Sequence, residues 1–78
     1  MKFKTFMEAY NAKECDYDII IFMYVATHPN CTADDIEKEF NSGENFSEYD
    51  GSISSLQMWI EEGYIKEDEN GKCTIIED

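Results

Sequence analysis

The sequence predicts a mostly helical α+β fold, with three to four short helices followed by a C-terminal β-hairpin. Apolar residues recur at helical spacing in successive segments that begin at capping residues. Near the C-terminal end, two short β-prone runs flank an Asn-Gly pair, which is the strongest short-range signal for a hairpin. Because the chain has 78 residues, we expect residues 1–78 to form a single domain.

The first predicted helix spans residues 3–10 and belongs to an N-terminal extension over residues 1–14. Its apolar residues form one stripe with spacing i, i+3, i+4 and i+7, namely Phe3, Phe6, Met7 and Tyr10. Such a stripe can lie against the core of its own domain or pair two subunits. We expect the core placement, and a homodimer through this helix is the alternative to a monomer.

The second predicted helix opens a helical core that extends over residues 16–62. Asp16 is the expected N-cap, and Pro29 stops a helix of about 12 residues. The run after Asp18 is apolar and starts with three isoleucines, so a buried strand is the competing interpretation. The capping residue and the length of the segment favour the helix.

The segment "HPNCTADDIEKEF" predicts a turn and then a short helix over roughly residues 33–41. Thr32 and Asp35 have the spacing of a capping box, with Asp in the usual Glu position. Ile36 and Phe40 are four residues apart, so we expect both on one buried face.

The fourth predicted helix has Ser47 as its N-cap, with Asp50 three residues later, and ends at Gly63. At 100° per residue, its core stripe is predicted to contain Tyr49, Ile53, Leu56 and Ile60, with Ser52 and Trp59 on the flank. The exposed face is then expected to carry Asp50, Gly51, Ser54, Ser55, Met58 and Glu61. After this helix, "YIKED" and "KCTII" predict a hairpin over residues 64–76.

Two motifs, "HPNCTADDIEKEF" and "LQMWIEEGYIKEDENGKCTII", resemble the winged helix-turn-helix superfamily, in particular MarR-like and PadR-like domains. The resemblance covers about residues 16–76, which is nearly the whole chain. It implies a winged helix-turn-helix fold with Leu56 and Trp59 buried, Gly63 capping the longer helix and the hairpin forming the wing. The superfamily contains both DNA-binding regulators and protein-binding modules, so the fold alone does not select a function.

The positions that read DNA in this superfamily carry no positive charge in this sequence. The family's readers project from the exposed face of the longer helix into the major groove, and here that face has no Lys or Arg. The wing offers Lys66 and Lys72 against three consecutive acidic residues. The whole chain has 18 Asp and Glu, six Lys and no Arg, with a formal net charge of −12. This charge repels nucleic acids and anionic membranes.

The sequence therefore favours binding to a protein with a basic surface over direct binding to nucleic acid. The expected partner-binding residues place an apolar centre inside a polar and acidic rim, and they are Asp50, Ser54, Met58, Glu61 and Glu62. One form of this hypothesis is a phage or mobile-element inhibitor that imitates the charge of DNA. The alternative function is a winged-helix transcriptional regulator. A third interpretation is that the acidic surface only keeps a small protein soluble.

The sequence indicates neither catalysis nor a bound cofactor. It has one histidine, His28, and no Gly-x-Ser-x-Gly nucleophile motif. Cys15, Cys31 and Cys73 are widely spaced and form no CxxC pair, so no metal site is expected. We expect reduced thiols, and we find neither a signal peptide nor an apolar run of membrane-spanning length. These features predict a cytoplasmic, non-enzymatic protein.

Overall fold

The structure, a computed structural model, describes residues 1–40 and 51–77, and within them four helices precede one antiparallel hairpin. The elements in chain order are α1 (Phe3–Ala12), α2 (Asp16–Thr27), α3 (Ala33–Phe40), α4 (Ser52–Glu61), β1 (Ile65–Glu67) and β2 (Cys73–Ile75). This order confirms the predicted mostly helical α+β class. The predicted N-cap Ser47, together with Tyr49 and Asp50, lies outside the described residues. None of the described helices is long and apolar enough to cross a membrane.

The second helix forms as predicted, but its cap is Cys15 and not Asp16. Asp18, at the third helical position, completes a capping box with Cys15. The Asp18 Oδ2 atom accepts hydrogen bonds from the backbone N–H groups of Glu14 at 2.8 Å and Cys15 at 3.0 Å. These bonds satisfy donors that a helix N-terminus leaves without partners, and so they favour a helix over the competing strand.

The predicted capping box of α3 is confirmed. The Thr32 N–H donates to Asp35 Oδ2 at 2.9 Å, and the Asp35 N–H donates to Thr32 Oγ1 at 3.2 Å. Ile36 and Phe40 are both buried, as their spacing predicts. The turn that precedes α3 contains Asn30 with a positive φ of 70°, a conformation that asparagine tolerates better than most residues.

Gly63 ends α4 as predicted, through a Schellman motif. With φ at +87°, it lets the Tyr64 N–H donate to the Trp59 carbonyl at 2.9 Å and its own N–H donate to the Ile60 carbonyl at 3.2 Å. The Tyr64 ring packs against the Trp59 ring with a centroid distance of 5.3 Å. This contact fixes the direction in which the chain enters β1.

The hairpin pairs Ile65 with Ile75 and Glu67 with Cys73. In its turn, Asp68 Oδ1 accepts hydrogen bonds from the backbone N–H groups of Asn70 and Lys72. A third segment joins the hairpin where Cys31 forms an isolated antiparallel bridge with Cys73, whose N–H donates to the Cys31 carbonyl at 2.7 Å. The turn between α2 and α3 is thereby fastened to β2.

The core contains residues from all six elements and from the Cys31 bridge. Its fully or nearly buried members are Ala9, Ile21, Phe22, Val25, Cys31, Ile36, Phe40, Leu56, Trp59, Ile65 and Cys73. From α1 only Ala9 is fully buried, whereas Phe3, Met7 and Tyr10 are 78%, 37% and 47% exposed. The expectation that the α1 stripe lies against the core is therefore wrong. The small Ala9 side chain faces the domain, so the stripe, about a third of a turn away, is left outside it.

The fourth helix buries a different face from the predicted one. Its buried residues are Ser52, Ser55, Leu56 and Trp59, whereas Ile53 and Ile60 are only half-buried. At 100° per residue, the core-facing direction is rotated by about 80° from the prediction. The cause is polar: Ser55 Oγ donates to Asp18 Oδ1 at 2.6 Å, and Trp59 Nε1–H donates to the Asp18 carbonyl at 2.8 Å. The prediction that Ser55 is exposed is therefore wrong.

Candidate functional site

Three exposed residues of α4, Ser54, Gln57 and Glu61, point away from the core, and we call them the α4 outer face. Their spacing of three and four residues places them in one row along the helix. The opposite side of α4 is anchored to α2 by Asp18, so the orientation of the row is fixed by buried contacts. Gln57 is near the centre of this face, and the predicted exposed face did not include it.

Three of the predicted partner-binding residues are exposed, as expected. Ser54 and Glu61 lie on the α4 outer face, and Glu62, the C-cap, lies at its edge. Glu62 also lines an open cleft of about 400 Å³ between α1 and the end of α4, together with Lys4 and Tyr64. Asp50 lies outside the described residues.

Met58 does not form the exposed apolar centre that the sequence suggested. It is half-buried and packs against the core. It also lines a shallow depression of about 280 Å³ between the start of α2 and α4, beside Cys15 and Ser54. The rotation of α4 brings Met58 towards α2, so a charged substitution at this position is expected to affect the fold as well as any interface.

The C-terminal end of α4 concentrates negative charge. Glu61 is the last helical residue and Glu62 the C-cap, and the last turn contains no basic residue. Since the carbonyl groups at a helix C-terminus carry partial negative charge, cations are favoured there and carboxylates are disfavoured. This end of the α4 outer face is therefore electrostatically unfavourable in the isolated protein, and a cationic partner group would relieve it.

Asp18 forms the floor of the depression beside Met58, and its carboxylate is held by several donors. Burial alone would raise the pKa of Asp18, but hydrogen bonds from Ser55 and from Glu14 and Cys15 outweigh it and hold the pKa below the ordinary value. The residues lining the depression include no His, Lys or Arg. These hydrogen bonds hold the Asp18 carboxylate in place, and through Ser55 they fix α4 against α2.

The cysteines occupy two different environments. Cys15 is exposed at the start of α2, whereas Cys31 and Cys73 are buried partners in the antiparallel bridge. Burial raises the pKa of the Cys31 thiol, and it raises the pKa of Cys73 to about 11. Buried thiols with raised pKa values are poor nucleophiles. Within residues 1–40 and 51–77, no three His, Cys, Asp or Glu side chains are grouped to hold a metal ion.

Comparison with known proteins gives no relative for this fold and site. No family model matches the chain, and neither curated proteins nor solved structures give a match.

Proposed function

We propose that this protein is a winged-helix-like module that binds a basic protein surface through the α4 outer face. The observation that carries the proposal is the pair Glu61 and Glu62 at the C-terminal end of α4, whose last turn contains no basic residue. A protein gains no stability from carboxylates at this end of a helix. A partner that supplies Lys or Arg would gain from the same arrangement through electrostatic steering and pairing.

The order of elements supports the winged-helix part of the proposal. The ten-residue helix α4 runs through a Schellman motif directly into a two-stranded hairpin, and a short bridge from the α2–α3 turn pairs with the second strand. In a DNA-binding member of such a fold, the exposed helix and hairpin would contact phosphates. Here the exposed residues of α4 include no Lys or Arg, and Lys66 and Lys72 share the hairpin with Glu67, Asp68 and Glu69.

Duplex DNA is the probe that separates the proposal from the alternative, a DNA-binding regulator. We expect no binding tighter than about 10⁻⁴ M near physiological salt, because ordinary non-specific affinity depends on Lys and Arg at phosphates. Fluorescence anisotropy with a labelled mixed-sequence duplex measures this directly. Submicromolar binding that weakens steeply with added salt would contradict the proposal and favour the regulator.

Glu61→Lys is expected to stabilise the isolated protein and to weaken its partner complex. The melting temperature should rise by roughly 2–5 °C, because the substitution places a cation at a helix C-terminus.

The partner can be identified with a photo-crosslinking residue placed at Gln57 on the α4 outer face. The same crosslinking residue placed at the exposed Ile20 of α2 is the control for position. With the purified partner, Glu61→Lys should slow association and reduce its salt dependence.

Glu69→Lys in the hairpin turn is the matched charge control, since it changes the net charge equally without touching a helix end. It should leave the melting temperature nearly unchanged. If both variants slow association to the same extent, net charge alone governs binding, and the α4 outer face has no special role.

A further inference from the structure

Two of the three cysteines lie opposite each other in the fold. Cys31, in the turn between α2 and α3, and Cys73, in β2, are the two residues of the isolated antiparallel bridge. The Cys73 N–H donates to the Cys31 carbonyl at 2.7 Å, and the Asn30 N–H donates to the Cys73 carbonyl at 2.9 Å, so the backbone around the pair is held in place. Directly opposed residues of an antiparallel pair have their side chains on the same face. Here that face is the core, where both cysteines are buried.

The spacing of such a pair is also the spacing of a disulfide. Directly opposed residues on antiparallel strands have Cα atoms about 4.5–5.5 Å apart, and disulfides join cysteines whose Cα atoms are about 4.4–6.8 Å apart. Both cysteines are free thiols in this structure. Burial raises the pKa of Cys73 most, and the charge of a nearby Cys31 thiolate raises it further, which agrees with two neighbouring sulfur atoms. A bond between them therefore requires side-chain rotation more than backbone movement.

We propose that Cys31 and Cys73 form a reversible redox site, a dithiol that a small disulfide oxidant such as glutathione disulfide converts into an intramolecular disulfide. The proposal does not depend on the function proposed for α4. The third cysteine, Cys15, is exposed at the start of α2 and is not part of the bridge. The site thus consists of two cysteines that are far apart in the sequence and are brought together by the fold.

The reaction is thiol–disulfide exchange in two steps. The thiolate of Cys31, the less buried of the two, attacks one sulfur of the oxidant, forms a mixed disulfide and releases one oxidant thiolate. The thiolate of Cys73 then attacks the Cys31 sulfur, forms the Sγ–Sγ bond and releases the second oxidant thiolate. Two electrons pass from the cysteines to the oxidant, and the two thiol protons go to the released thiolates. Because burial raises the pKa of both cysteines, little thiolate is present at neutral pH, and the folded chain reacts slowly.

The disulfide would fasten the turn between α2 and α3 covalently to the hairpin. It closes a loop of about 40 residues, which contains α3, α4 and β1. A cross-link of this kind restricts the unfolded chain, and a longer loop gives a larger effect. The oxidised chain should therefore be the more stable form, and reduction by a thiol should return it to the stability of the dithiol.

Refolding in glutathione buffers tests the proposal, because it brings the slow reaction to equilibrium. Cys15→Ser keeps only the two bridge cysteines, and serine is a favoured N-cap residue for α2. This variant is reduced, denatured and refolded over a series of oxidised-to-reduced glutathione ratios. The expected product is a Cys31–Cys73 disulfide, identified by mass spectrometry of the linked peptides. Its melting temperature should exceed that of the dithiol by at least about 10 °C.

The effective concentration of the two thiols shows whether the fold brings them together. It is the value of [GSH]²/[GSSG] at half oxidation, and it should be at least about 30-fold higher in native buffer than in concentrated guanidinium chloride. Cys31→Ala added to Cys15→Ser is the matched control and should show no rise in melting temperature with oxidant. The original chain should give the same Cys31–Cys73 linkage.

Four results would overturn the proposal. They are equal effective concentrations in the two buffers, a mixed disulfide with glutathione as the only product, a linkage through Cys15 in the original chain, and a Cys31–Cys73 disulfide that lowers the melting temperature.

Discussion

Replacing Trp59 with alanine is expected to lower the free energy of unfolding by about 3–5 kcal/mol, a large part of the total for a small domain. Trp59 is fully buried, and its ring packs against Phe22 with a centroid distance of 5.0 Å. Its Nε1–H also donates to the Asp18 carbonyl, which would lose this partner. Urea denaturation followed by circular dichroism measures the change.

Ile60→Ala is the control that tests the orientation of α4. Ile60 is adjacent to Trp59 in sequence but only half-buried, so its truncation should cost clearly less, about 1 kcal/mol. A larger loss at Ile60 than at Trp59 would mean that α4 buries the face predicted from its isoleucines. The assignment of the α4 outer face would then be wrong as well.

Asp18→Asn is expected to cost about 2–3 kcal/mol at neutral pH. The carboxylate accepts charge-assisted hydrogen bonds from Ser55 and from the N–H groups of Glu14 and Cys15, and an amide cannot accept all of them. The NH₂ group of the asparagine side chain would also face groups that now donate to the carboxylate, and two donors cannot hydrogen-bond to each other. Urea denaturation at pH 7 gives the loss directly.

The same variant should change how stability depends on pH. The pKa of Asp18 is lower in the folded protein than its ordinary value of 3.8, because hydrogen bonds to the carboxylate outweigh burial. A carboxyl group with a lowered pKa stabilises the fold above its unfolded pKa, and this contribution is lost as pH falls through the folded value. The original protein should therefore lose more stability below about pH 4 than Asp18→Asn loses. Asp16→Asn, at an exposed carboxylate, is the control and should keep the acid sensitivity of the original protein. If Asp18→Asn loses as much stability in acid as the original protein does, this role of Asp18 is contradicted.

Local signals in the sequence predicted most of the secondary structure. The capping box of Thr32 and Asp35 and the glycine stop at Gly63 depend on residues within one helical turn, so spacing alone reveals them. The hairpin depends on a similarly short segment. The burial of Ser55 depends on Asp18, which is 37 residues away, and no local pattern reveals this pairing.

The candidate site was predictable only in part. Glu61 and Glu62 are exposed because they are charged and lie beside a terminating glycine, which the sequence shows. Met58 was assigned to the exposed face, and Gln57 was left out of it, from the direction of the predicted apolar stripe. That direction changed once two serines, Ser52 and Ser55, took core positions that hydrophobicity would give to isoleucine. The exposure of the α1 stripe likewise depends on how the other helices close the core.

The bridge between Cys31 and Cys73 also affects how other chains can attach to the hairpin. It pairs the outer edge of β2 at Cys73, and within the described residues β1 forms the opposite, open edge of the small sheet. That edge is three residues long, and both Lys66 and Glu67 on it are charged and exposed. Short, charged edge strands resist strand addition and the growth of extended sheets. Concentrated protein should therefore resist fibril growth through the β1 edge.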